Sequence, residues 1–249
     1  MNLRFSYQTD VGKVRPHNED AVQIFEQEGL LVMVVADGMG GHASGDVASF
    51  MAIEYIKEQF EQGLLIDSKE EASSWVAHVL EQVNSDILDY AHEYDAKNMG
   101  TTMVIAVITE AFISVANIGD SRAYLYAFDS LRQLTKDHTF VRELVEKGQI
   151  SERAAKLHPQ KNVINKALGT SETLEFDALT LENYEADAIL LCTDGLTGLV
   201  DDGEISTVLK SDLSTDEKVK TLIDSANSQG GRDNISIALV EFNEGSESV

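Results

Sequence analysis

Leu30-Leu31-Val32-Met33-Val34-Val35-Ala36-Asp37-Gly38-Met39-Gly40-Gly41-His42 is the stretch that decides how this chain folds. From Leu30 to Ala36 no polar residue interrupts it, and three of its members are the β-branched Val32, Val34 and Val35. A strand with one wet face alternates apolar and polar, whereas an unbroken apolar run of this length reads as a strand buried on both faces. The run ends on Asp37, with Gly38 behind it. An ionisable carboxylate is thus carried to the tip of a strand that has no water on either side.

Working outward, Arg4–Thr9 and Ala21–Phe25 read as strands before it. Ser44–Gln62 reads as a helix, with Val47, Met51 and Tyr55 at four-residue spacing. Glu70–Tyr94 reads as a second, where Trp75, Val79, Val83 and Ile87 form one apolar stripe. Thr101–Thr109 and Phe112–Ile118 make a hairpin across Glu110-Ala111, and Ser121–Phe128 adds a third strand. Lys136–Gly169 breaks into short helical pieces rich in Lys, Arg and His and reads as a surface excursion. Strands resume at Leu174–Leu181 and Asp187–Thr193, a helix follows over about Asp216–Ser228, and Ile235–Phe242 is the last strand. Neighbouring strands with short connections, and helices in separate blocks, point to α+β with antiparallel sheets rather than repeated βαβ units.

Composition narrows the classes. The 249 residues, 43% hydrophobic and 25% charged, suit one large soluble domain or two small ones. No apolar run approaches the ~18 residues of a spanning helix. The N-terminus lacks a basic stretch followed by an apolar one, so no signal peptide is expected. The single Cys192 forms no intrachain disulfide, and a cytoplasmic protein is expected. A net charge of −24 repels nucleic acid and anionic membrane over most of the surface. No coiled coil or exposed apolar stripe suggests an oligomer, so a monomer is expected.

Most of the acids belong to a solvated surface. Four are placed otherwise: Asp37, Asp120 and Asp194 each close a strand, and Asp233 stands just before one begins. In antiparallel sheets the end of one strand lies beside the start of its neighbour, so all four can meet on one rim. Clustered carboxylates repel by about 4 kcal/mol for a pair at ~4 Å and an effective dielectric near 20. A positive filler must therefore hold them. Oxygen ligands with room for water suit Mg²⁺ or Mn²⁺. Gly38 leaves its carbonyl open to close approach by the ion. One Asp-Gly pair alone would be ordinary turn chemistry; the set of four favours metal.

Six motifs then fall in order: Gly12-Lys13-Val14-Arg15 with Asn18-Glu19-Asp20, Ala36-Asp37-Gly38-Met39-Gly40-Gly41-His42, Gly100-Thr101-Thr102, Asn117-Ile118-Gly119-Asp120-Ser121-Arg122, Cys192-Thr193-Asp194-Gly195, and Gly230-Gly231-Arg232-Asp233-Asn234. From about Phe5 to Phe242 the chain resembles the metal-dependent protein phosphatases of type 2C, most of all their short bacterial members. The resemblance implies a four-layer α-β-β-α sandwich, two antiparallel sheets flanked by helices, in a single catalytic domain over residues 1–243 with a polar tail at 244–249. It makes 136–169 a flap beside the site. It implies that Asp37 bridges two Mn²⁺ or Mg²⁺ ions, that the Gly38 carbonyl binds one, and that Asp194 and Asp233 complete the other's shell. Asp120 with Asp194 would hold a third, weaker ion. Glu19 and Asp20 would hydrogen-bond waters on the metals, and Arg15 would grip the substrate phosphate. The reaction implied is in-line attack by metal-activated water on phosphoserine and phosphothreonine proteins, without a phosphoenzyme, opposite a cognate serine/threonine kinase.

Met39 occupies the place where animal relatives carry a histidine. His42 is the candidate proton donor to the leaving oxygen; an exposed loop histidine, with water as the acid, is the alternative. Asn165-Lys166 stands where relatives often have Thr-Arg. The remaining histidines lack metal-ligand spacing, Ser121 and Thr193 read as hydroxyls bonding backbone, and Cys192 reads as buried and inert. A cysteine phosphatase would need arginine where Gly198 stands, a P-loop fails at Val14 after Gly12-Lys13, and no Asp-x-Asp triplet exists for an aspartyl nucleophile. A non-catalytic relative serving as a binding module would have lost an aspartate, and all four are present.

Overall fold

The computed structural model describes residues 3–40, 44–183 and 186–242. Two antiparallel sheets stack face to face. Sheet I runs β1 (Leu3–Asp10), β11 (Ile235–Phe242), β10 (Ala188–Cys192), β7 (Arg122–Ala127), β8 (Ser130–Gln133). Sheet II runs β2 (Asp20–Gln27), β3 (Leu30–Met39), β5 (Met103–Thr109), β6 (Phe112–Ile118), β9 (Asp177–Glu182), with the short β4 (Gly100–Thr101) paired to the end of β3. Helices α1 (Gly45–Glu61) and α2 (Lys69–Glu93) pack on sheet II. Helices α5 (Asp194–Thr197), α6 (Asp202–Lys210) and α7 (Thr215–Ser228) pack on sheet I. The four-layer α-β-β-α sandwich is as expected.

The apolar run behaves as its composition requires. Leu30, Val32, Val34 and Ala36 face α1 and α2, while Leu31, Met33 and Val35 face Ile189, Leu191, Ala238 and Val240 of sheet I. Period two along one strand therefore feeds two cores. On the far side Leu190, Cys192, Ile237 and Leu239 meet Leu196, Ile205 and Leu222 of the second helical layer. Helix starts are set locally: Ser68 caps α2 by accepting the Glu71 N–H, and Ser214 with Glu217 forms a capping box on α7.

Some boundaries differ from the sequence reading. The strand expected over Thr101–Thr109 is interrupted at Thr102, because the Asp37 N–H takes the Thr102 hydroxyl, at 3.0 Å, in place of a backbone carbonyl. The third strand, β7, leaves its hairpin and joins the other sheet, turning at Gly119 with φ +103°. β9 starts later than Leu174, and β8, α5 and α6 add elements the periodicity did not single out. The excursion after Lys136 carries α3 (Phe140–Glu146) and α4 (Glu152–Lys156), but its roots are core: His138 and Leu168 are buried.

Candidate metal centre

One end of the sandwich collects the acids because both sheets terminate there. Asp20 and Asp37 face each other in the β2–β3 register. Asp120 lies in the β6–β7 loop, Asp194 opens α5 just beyond β10, and Asp233 precedes β11. Sheet II thus supplies three of them and sheet I the other two.

Hydroxyls and amides fix these positions. Thr102 binds Asp37 twice, its N–H donating to the Asp37 carbonyl at 2.8 Å and its Oγ1 accepting the Asp37 N–H. The same Oγ1 shares a proton with Ser121 Oγ at 2.8 Å, which links Asp37 to the loop bearing Asp120. Thr193 Oγ1 donates to Asp20 Oδ2 at 2.9 Å and accepts the Ser236 N–H at 3.0 Å, tying sheet II to sheet I. Asn234 Oδ1 accepts the Glu19 N–H, and its Nδ2 donates to the Val11 and His17 carbonyls. That clamp holds the loop carrying Arg15 against the start of β11, where Arg15 Nη2 donates to Asp233 Oδ2 at 2.8 Å. Gly38 is required by close approach: a Cβ there would lie 2.0 Å from the Gly45 carbonyl oxygen.

The electrostatics follow. Burial, then the charges of Asp20, Asp194, Asp120 and Asp233, hold the Asp37 carboxyl well above the usual range. Burial, with Asp194 and Asp137, pushes Asp120 up to about 8 against Arg122. Burial pushes Asp20 up to about 7, against the hydroxyls of Ser236 and Thr193. Burial and Asp233 raise Asp194 to about 6 against Arg15 and Arg122. Partial burial opposes charge on Arg15, yet Asp233, Glu19 and Asp37 raise it. Four acids are raised here by burial and by neighbouring carboxylates, Asp233 among those neighbours, and Arg15 and Arg122 offset this only in part.

Among the described residues no three carboxylate, histidine or cysteine side chains close into a ready-made cage. Asp233 is turned to Arg15 instead. The donor set nonetheless fits hard divalent ions: it is all oxygen and mutually repelling, and Asp20 Oδ1 and Asp120 Oδ1 are buried without a hydrogen-bond partner.

A model of the family described as protein phosphatase 2C matches residues 13–242. The chain belongs to the protein phosphatase 2C family. Serine/threonine phosphatase stp of Listeria innocua is 42% identical to this phosphatase 2C chain, covering 97% of it and 96% of that protein. Protein phosphatase PhpP of Streptococcus pneumoniae is 37% identical, covering 97% of the chain and 98% of that protein. The crystal structure of serine/threonine phosphatase Stp1 from Staphylococcus aureus matches with a TM-score of 0.92 at 35% identity, covering 98% of this chain and 96% of that one. Divalent-metal dependence is general in the protein phosphatase 2C family.

Of the residues singled out in the sequence, Arg15, Glu19, Asp20, Asp37, Gly38, Asp120, Asp194 and Asp233 are brought to this end of the fold, and His42 lies outside the described residues. Three supporting residues of this phosphatase 2C chain were not assigned a role by spacing alone. Thr102 sits in a quoted motif, but its double bond to Asp37 needs the sheet register. Thr193 bonds backbone as expected and also holds Asp20. His138, which lacks ligand spacing, packs against Gly119 beside Asp120, with burial lowering its pKa against the pull of Asp177.

Proposed function

We propose that the chain is a metal-dependent serine/threonine protein phosphatase whose reaction is run from the aspartate rim. The observation that carries this is the convergence of Asp20, Asp37, Asp120, Asp194 and Asp233 on one end of the sandwich, with Asp20 Oδ1 and Asp120 Oδ1 buried and without a hydrogen-bond partner. Asp37 with the Gly38 carbonyl, Asp194 and Asp233 would hold two Mn²⁺ or Mg²⁺ ions, and Asp120 with Asp194 a third, weaker one. When bound, such ions supply Lewis acidity, making water a nucleophile at neutral pH and offsetting phosphate charge.

The chain's own residues do the rest. Arg15 is exposed, is anchored by Asp233, and presents its remaining guanidinium donors to the phosphate oxygens. Three ligand aspartates leave about one net positive charge against two divalent ions, which attracts a dianion into a protein of net charge −24. Glu19 and Asp20 accept hydrogen bonds from water at the rim, and the Thr193 hydroxyl keeps Asp20 aimed there. No side chain acts as nucleophile: Ser121 is engaged with Thr102, and burial pushes Cys192 up to about 12. His42 is kept as the candidate proton donor to the leaving serine or threonine oxygen.

The same reading takes residues 1–243 as one catalytic domain with 136–169 as its flap, acting as a cytoplasmic monomer opposite a serine/threonine kinase. Among the described residues no helix is long and apolar enough to cross a membrane. The test is turnover of phosphoserine, phosphothreonine and phosphotyrosine peptides with Mn²⁺ by wild type and Asp194→Ala. Wild type should cleave the first two, stop on chelation and lose most activity in the variant. Equal rates for the two proteins, or a preference for phosphotyrosine, would overturn the assignment.

A further inference from the structure

Three consecutive residues at the root of the flap are each held by a residue in, or at a strand end beside, the loop that carries Asp120. Asn117 Nδ2 donates to the Lys136 carbonyl at 3.0 Å. Arg122 grips Asp137 with two bonds, Nε to Oδ1 at 2.8 Å and Nη2 to Oδ2 at 2.6 Å. Gly119 is held from both sides: its N–H donates to His138 Nδ1 at 3.1 Å, and its carbonyl accepts the His138 N–H at 2.8 Å. Gly119 has no slack, since a Cβ there would lie 2.5 Å from Thr102 Cγ2. A backbone N–H only donates, so Nδ1 is the acceptor and the ring proton sits on Nε2, which faces Asp177 Oδ2 at 3.3 Å. His138 is 5% exposed, so water does not compete for the bond.

We infer that His138 is a positioning residue. By accepting the Gly119 N–H it fixes the direction in which Asp120 projects, and it joins the flap root and the Asp120 loop into one rigid piece. This rests on the reading of Asp120 as a ligand, and the experiment separates the two.

His138→Leu keeps bulk and removes the acceptor, whereas His138→Asn restores an acceptor on the atom that corresponds to Nδ1. Two readouts are taken: hydrogen exchange of the Gly119 amide in chelator-treated protein, and Mn²⁺ titration followed by the paramagnetic resonance of the free ion. In H138L, Gly119 exchange should quicken about 10-fold, the scale of one lost buried hydrogen bond. The weakest Mn²⁺ site should weaken about 10- to 100-fold, as when the partner behind a metal ligand is removed. Tighter Mn²⁺ binding should hold, and H138N should recover both readouts. Native exchange in H138L, or H138N no better than H138L, overturns the inference. Faster exchange with unchanged Mn²⁺ binding also overturns it, and D120N then shows where it failed. If D120N binds as wild type, Asp120 is no ligand; if D120N loses the site, only the link through His138 is wrong. Where H138L does not fold, H138N decides alone, native exchange and affinity supporting the inference and loss of either refuting it.

Discussion

Removing one titratable carboxyl from the rim should make the metal-free protein less sensitive to rising pH while disabling it, and Asp120→Asn is the cleanest case. Asp120 is 6% exposed and its carboxyl is raised from 3.8 to about 8. Between those values the folded chain keeps a proton that the unfolded chain releases, so stability falls as pH rises through this window. Over the interval from about pH 5 to about pH 8 the slope of ~1.4 kcal/mol per unit gives a ceiling near 4 kcal/mol. The acids share one repulsion, so removing Asp120 also relieves Asp194 and Asp37, and a net difference of about 1–4 kcal/mol is expected. Comparing the two pH values cancels the fixed cost of burying an amide at this position. The assay is urea unfolding followed by circular dichroism, in chelator, for wild type and variant at both pH values. Wild type should lose more stability than D120N between them, and added Mn²⁺ should close the gap from the wild-type side. If the two proteins lose stability equally, the rim acids do not repel as described.

Three further outcomes follow from individual contacts. Arg15→Ala should lower kcat/KM on a phosphopeptide about 10- to 100-fold, the scale of a charge-assisted hydrogen bond. Its thermal midpoint should scarcely move, because the Arg15–Asp233 pair is open to water. Thr102→Val removes the acceptor of the Asp37 N–H and should cost about 1–3 kcal/mol in denaturant together with activity, with Thr102→Ser restoring both. Lys218 Nζ bonds Glu241 Oε1 at 2.6 Å with its side chain 7% exposed. Lys218→Met should therefore cost about 3 kcal/mol in urea unfolding, most of it recovered by adding Glu241→Leu.

The parts of the fold legible in the sequence were those whose signal is local. The run Leu30–Ala36, the stripe of α2 and the last strand needed only composition and period. The acids at strand tips were legible because each apolar run has to stop somewhere, and these stop on aspartate. What escaped was decided by tertiary structure. β7 follows its hairpin in sequence yet pairs across the sandwich, and nothing in Ser121–Phe128 marks the change of sheet. The four residues of α5 have no helical period to detect, and Asp194-Gly195 looks like a turn until Leu196 is seen buried under sheet I. Leu168 reads as part of a surface excursion, but Thr101 pairs with it and seals it beneath α2. His138 carries no metal-ligand spacing because its partner is a backbone amide.

The first strand pairs with the last: Leu3 lies opposite Phe242 and Asp10 opposite Ile235. During synthesis, β1 must wait, without its neighbour, until β11 has left the ribosome. Asp233 emerges just ahead of that closing segment. A nascent chain that has not yet reached β11 therefore carries no assembled centre, and the rim is completed in one late step rather than growing in stages as translation proceeds.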